Sequence, residues 1–195
     1  MGEPPVVIML AGPNGAGKTT TALTLFRETL KGIDYVNADV IAQGLSGTDP
    51  DSVALEAGAL MLKRLHHMAE ARLNIAFETT GASRSFATWF KQLKSDGYRV
   101  TLYYFWLPSA DMAIARVAER VRTGGHNVPV ETIRRRYDAG LRNFFQLYRP
   151  LADVWEMIDN SRYREPRRIA AGKTDSEVTP SDGIVWDDLV KRYSR

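Results

Sequence analysis

The sequence predicts an α/β domain with a five-stranded, mainly parallel sheet and helices on both faces. Three observations lead there. Short apolar runs alternate with longer segments whose apolar residues recur at helical spacing. A glycine-rich turn follows the first run directly. Three of the runs end in an acid, Asp39, Glu78 and Asp159, at the carboxyl edge where a parallel sheet meets its ligand.

The first run, Val6-Val7-Ile8-Met9-Leu10, reads as a buried strand. Gly12-Pro13-Asn14-Gly15-Ala16-Gly17-Lys18-Thr19 follows it and completes a phosphate-binding loop, with Thr20 opening the next helix. Glycines let successive N–H groups turn inward towards phosphate oxygens, and the helix N-terminus adds partial positive charge. Lys18 supplies a point charge for the β- and γ-phosphates, and the Thr19 hydroxyl a ligand for Mg²⁺. The helix is expected over Thr20 to Leu30, with Ala22, Leu25, Phe26 and Leu30 on one face.

Residues 35–39 form a second short strand ending at Asp39, and Asp49-Pro50 starts a helix to about residue 72. Asn74 to Phe77 is the third strand, leading into Glu78-Thr79-Thr80-Gly81. Ser83 or Ser85 caps the next helix, which Gly97 ends. Val100 to Leu107 is an apolar, aromatic strand, followed by a helix that Ser109 caps. The Gly124-Gly125 turn separates this helix from a long one closing at Pro150. Val154 to Ile158 is the fifth strand, and Asp159-Asn160-Ser161 reads as a loop beside the adenine. Residues 162–195 look less regular, apart from an amphipathic helix carrying Trp186, Leu189, Val190 and Tyr193. One domain over 1–195 is the economical reading.

Composition narrows the function. A chain of 195 residues buries roughly 70% of its unfolded surface. It has no cysteine, which excludes disulfides, thiolate metal sites and cysteine nucleophiles. A net charge of +3 gives no argument for nucleic acid. No apolar run approaches the ~18 residues of a membrane span, and the start is unlike a signal peptide, so a cytoplasmic protein is expected. His66 and His67 adjoin each other and face different directions, so zinc is not expected.

The loop alone fits kinases, GTPases and motor ATPases. There is no Asn-Lys-x-Asp for guanine and no Asp-x-x-Gly switch, which argues against a GTPase. Leu45-Ser46-Gly47-Thr48 lies too near the phosphate loop to be a transporter signature and reads as a surface turn. Glu78 is the better candidate for holding Mg²⁺ through water, because the strand Val100 to Leu107 runs into Pro108 rather than an acid. Around residues 120–136, Arg116, Arg120 and Arg122 approach the glycine pair and Arg134, Arg135 and Arg136 leave it. Such a cationic lid closes over ATP, excludes water and balances charge on the transferring phosphoryl group. Arg84, just after Gly81, is a candidate for acceptor phosphates. A small-molecule kinase fits these features. A nucleoside, polynucleotide-end or metabolite kinase, or an ATP-binding module without chemistry, are the alternatives.

The phosphate loop, Asn37-Ala38-Asp39, Glu78-Thr79-Thr80, the Arg122 to Pro129 lid and Asp159-Asn160-Ser161 together resemble the zeta-toxin family of P-loop kinases, over nearly the whole chain to about residue 161. The resemblance implies ATP- and Mg²⁺-dependent phosphorylation of a UDP-activated amino sugar such as UDP-N-acetylglucosamine, and a neutralising antitoxin partner. Residue by residue it implies Asp39 as general base, Lys18 as the phosphate-loop lysine and Thr19 as the Mg²⁺ ligand. It assigns Glu78 and Thr79 to the substrate side, and to the γ-phosphate Arg122 together with one of Arg134, Arg135 and Arg136, of which Arg135 matches the separation best.

Overall fold

The computed structural model describes residues 3–25, 32–162, 165–174 and 178–194. Among them the sheet has seven strands rather than five: β1 (Val6–Ala11), β2 (Asp34–Val36), β3 (Ile75–Thr79), β4 (Arg99–Trp106), β5 (Val154–Asp159), β6 (Arg167–Lys173) and β7 (Thr179–Pro180). Their order is β2-β3-β1-β4-β5-β6-β7. The first five run parallel, and β6 and β7 extend the sheet antiparallel. The two added strands lie in the segment that looked least regular. β6 is half-exposed and mixed in character, so it lacks the continuous apolar run that marks a central strand.

Seven α-helices are found among the described residues: α1 (Lys18–Leu25), α2 (Ala38–Leu45), α3 (Ala54–Glu70), α4 (Ser85–Ser95), α5 (Ala110–Arg122), α6 (Val130–Asn143) and α7 (Gly183–Tyr193). A 3₁₀ turn over Pro50–Val53 leads into α3. The helix expected over Thr20 to Leu30 thus begins at Lys18, and Phe26 and Leu30 lie outside the described residues. The short helix α2 had no sequence forecast. It starts because Asn37 caps it, accepting a bond from the Asp39 N–H at 2.8 Å. Asp39 therefore sits in the first turn of a helix rather than at a strand end. Ser109 caps α5 as expected, accepting from the Met112 N–H at 3.1 Å.

The parallel register aligns Phe77, Met9, Leu102 and Trp155 in one row on one face. Phe77 packs against Phe86, Trp89 and Phe90 of α4, and Trp155 against Phe144 and Trp186. All but Trp89 of these are at least nine-tenths buried, and each aromatic removes on the order of 150–250 Å² from water. The β1-to-β2 connection steps along the sheet opposite to the β2-to-β3 and β3-to-β4 connections. Right-handed crossovers then put α1 on the other face. The reversal between β3 and β4, on either side of β1, opens the crevice at the carboxyl ends of the strands. No helix among the described residues is long and apolar enough to cross a membrane.

Candidate active site

The phosphate loop joins β1 to α1, and its glycines answer local constraints. A Cβ on Gly12 would lie 2.3 Å from the Phe105 carbonyl oxygen, so no side chain fits there. Gly17 has φ +70°, and a Cβ would come within 3.0 Å of the Asn160 amide nitrogen. Asn160, buried, donates that amide to the Ala16 carbonyl at 2.6 Å and to the Thr21 hydroxyl at 2.9 Å. Arg116 in turn donates to the Asn160 and Ser161 carbonyls at 2.7 Å each. The loop after β5 thus holds the phosphate loop from behind. Arg116, counted in sequence with the lid, belongs to this brace.

Lys18 curls over the loop and donates to the Gly12 and Pro13 carbonyls at 2.9 and 3.0 Å. Burial lowers the pKa of its ammonium, Glu78 and then Asp39 oppose that, and Arg120 and Arg136 add to it. The charges of Glu78, Asp39, Arg120 and Arg136 thus all act on the lysine. Glu78, at the end of β3, accepts a hydrogen bond from the Tyr35 phenol. Tyr35 also faces Asn37 and Thr19, and burial followed by the Glu78 charge raises its pKa far above the ordinary phenol range. The phenol therefore remains a donor and joins the Thr19 hydroxyl side of the loop to Glu78. Sequence reading missed Tyr35 because a tyrosine two residues before a strand-end asparagine carries no signature by itself.

Asp39 is about half exposed, and its carboxylate lies 3.8 Å from His126 Nε2 in the lid loop. Arg120 donates to the His126 carbonyl at 3.0 Å and lies 3.2 Å from its Nε2, while its own buried Nε has no protein partner. Arg136, half-buried, reaches Asn14 Oδ1 at 3.5 Å. Burial lowers its pKa, Arg135 adds to that and Asp39 opposes it. Arg122 instead pairs with Glu119 at 2.6 Å on the surface, Arg134 pairs with Asp111 at 2.7 Å, and Arg135 is exposed. Arg120 and Arg136 are thus the lid arginines whose charge acts on the lysine, while Arg122 and Arg134 are held in surface pairs.

On the acceptor side, the Thr79 hydroxyl accepts from the Gly81 N–H at 3.2 Å. Arg84 is exposed at the start of α4, close enough to act on Tyr148. Asp159 accepts from Arg167 at 2.9 Å and from the Ser161 N–H at 2.8 Å.

These residues fit a nucleotide triphosphate: the lysine's present acceptors are loop carbonyls, which phosphate oxygens can replace, and the Arg120 Nε is a buried donor without a partner. The oxygen-only set of Thr19 and Glu78 suits Mg²⁺ chemically.

The model of the Zeta toxin family matches residues 1–164. An uncharacterized protein of Haemophilus influenzae is 27% identical over 130 residues, covering 67% of this chain and 91% of that protein. Among solved structures, a chain of the AvrRxo1-ORF1:-ORF2 complex with ATP superposes with a TM-score of 0.73 at 16% identity, over 96% of this chain and 64% of that one. The present chain therefore spans less than two thirds of that relative. A chain from the PezAT toxin–antitoxin system of Streptococcus pneumoniae gives 0.63 at 14% identity, over 99% and 79%. The structural likenesses speak for a P-loop kinase fold, and the family match decides membership: this chain belongs to the Zeta toxin family.

Proposed function

We propose that the chain is an ATP-dependent kinase that transfers the γ-phosphoryl group to a hydroxyl of a small acceptor, with a UDP-activated amino sugar such as UDP-N-acetylglucosamine favoured. The observation that supports the proposal is that the charges of Glu78, at the end of β3, and Asp39, opening α2 just beyond β2, both act on Lys18 of the phosphate loop. A triphosphate cradle and two carboxylates on its acceptor side are the parts that phosphoryl transfer to an alcohol requires.

The residues divide the work as follows. Residues 12–20 cradle the phosphates with their N–H groups, and Lys18 exchanges its loop carbonyls for phosphate oxygens. Asp39 accepts the acceptor's hydroxyl proton while the acceptor oxygen bonds to the γ-phosphorus. The bond from that phosphorus to the bridging oxygen breaks, and its electron pair stays on ADP. Arg120 and Arg136 balance the charge spread over the transferring group. Thr19, and Glu78 through water, hold Mg²⁺, which when bound neutralises phosphate charge. Thr79 and Arg84 line the acceptor side. His126 and the glycine turn close over the site and keep water out. A cytoplasmic location, a toxic effect and an antitoxin partner belong to the same proposal, supported by the family and by the PezAT likeness.

Labelled ATP offered with UDP-N-acetylglucosamine, other sugar nucleotides, nucleosides and 5′-hydroxyl oligonucleotides tests it. Label should pass to the amino-sugar nucleotide, and Asp39→Ala should slow transfer by about 10²–10⁴-fold. Transfer to the oligonucleotide alone would overturn the acceptor assignment. An Asp39→Ala enzyme as active as wild type would overturn the base.

A further inference from the structure

The acceptor loop, residues 79–84, is fastened from one side by a feature that the mechanism above does not use. At the end of α6 the chain departs from the α-helix into a five-residue π-helical segment, Phe144–Tyr148. In an α-helix of about 3.6 residues per turn, side chains five apart point about 140° away from each other. Hydrogen bonding five residues back instead of four widens the turn and brings such a pair onto one side. The pair here is Asn143 and Tyr148, both buried. The Asn143 amide donates to the Gly81 and Ala82 carbonyls at 2.9 Å each and reaches the Ser83 carbonyl at 3.4 Å. The Tyr148 hydroxyl donates to the Ser83 carbonyl as well.

Two further contacts show that α6 lies directly on the loop. A Cβ on Gly140 would come within 2.7 Å of the Thr80 carbonyl oxygen, and Gly81 has φ +73° with Gly140 beside it. The carbonyls of three consecutive residues, Gly81, Ala82 and Ser83, are thereby turned towards one helix. The same helix carries Arg136, which touches the phosphate loop at Asn14.

We propose that Asn143, aligned with Tyr148 by the π-helical turn, is a positioning residue for the phosphate acceptor: it sets the backbone of residues 81–83 and so the place of Glu78, Thr79 and Arg84. The kinetic half of this inference rests on the kinase reading given above; the structural half does not. π-Turns concentrate at functional sites, where the local irregularity aims particular side chains. Here the side chains it aims are the two that hold the loop.

The test uses the intact chain as wild type, Asn143→Ala and Tyr148→Phe, the last keeping the buried ring in place should the first fail to fold. Hydrogen–deuterium exchange should rise over residues 79–85 in either variant and stay at the wild-type level over the phosphate loop, residues 12–19. With ATP and UDP-N-acetylglucosamine as substrates, KM for the sugar nucleotide should rise about tenfold, as expected for the loss of a buried hydrogen bond, while KM for ATP holds. Unchanged exchange over 79–85, or KM rising equally for both substrates, would overturn the inference. Should wild type leave UDP-N-acetylglucosamine unphosphorylated, the acceptor assignment fails and exchange alone decides: a rise confined to 79–85 supports the positioning role, and its absence refutes it.

Discussion

Arg120 and Arg122 sit two residues apart on one helix, and this separates a residue of the crevice from a surface one. Side chains at that spacing face nearly opposite directions, so Arg120 meets His126 while Arg122 meets Glu119. Replacing Arg120 or Arg136 by Ala should lower kcat by about 10²-fold, the scale of losing one group that stabilises developing charge. Arg122→Ala should behave like wild type in the same rate measurement. The sequence marked the lid by its arginines and glycine pair, yet it left the helical phase open. Only packing of α5 and α6 on the core fixes that phase. Asp159 offers a second residue-level test. Burial alone would raise its pKa, but bonds from Ser161 and Arg167 prevail and hold it below the ordinary carboxylate value. Its stabilising effect is complete above about pH 4 and fades as pH falls through the lowered folded-state pKa. Melting curves of wild type and Asp159→Asn should therefore converge below about pH 4. A gap that stays constant down to pH 3 would refute the assignment.

At the scale of elements, the phosphate loop was legible because its chemistry demands fixed residues at fixed spacing. Its brace was not. Asn160 lies 144 residues from Ala16, and no local pattern links them. The loop after β5, expected beside the adenine, holds the phosphate loop's shape as well. Asn160→Ala should weaken ATP binding by about tenfold in calorimetry, since it leaves the Ala16 carbonyl unpaired. Strands β1, β3, β4 and β5 were legible as apolar runs. Helix α2 was hidden because it has only eight residues, too few for a periodic signal. Asp39 was thus found by its neighbours Asn37 and Ala38, while its helical setting was not. The aromatic packing of α4 is the element-level anchor of the acceptor side. Phe90, fully buried against Phe77 and Tyr148, should cost about 3–5 kcal/mol when cut to Ala, read as a shift in the denaturant midpoint.

For the whole molecule, the family match ends at residue 164 while the sheet continues beyond it. Trp186 of α7 stacks on Trp155 at 5.3 Å, and the Arg149 guanidinium sits over both rings. A chain ended at residue 164 would uncover β5 and these rings, and it should lose its cooperative melting transition. The sheet's two margins are another matter. Among the described residues β2 has three residues, beginning with the exposed Asp34, and β7 has two, the second a proline without an N–H. Neither margin offers a long row of free backbone donors and acceptors for another molecule's strand to zip onto. A fold with so large a central sheet is thereby protected against fibril growth from its own borders, by brevity at one end and an imide at the other.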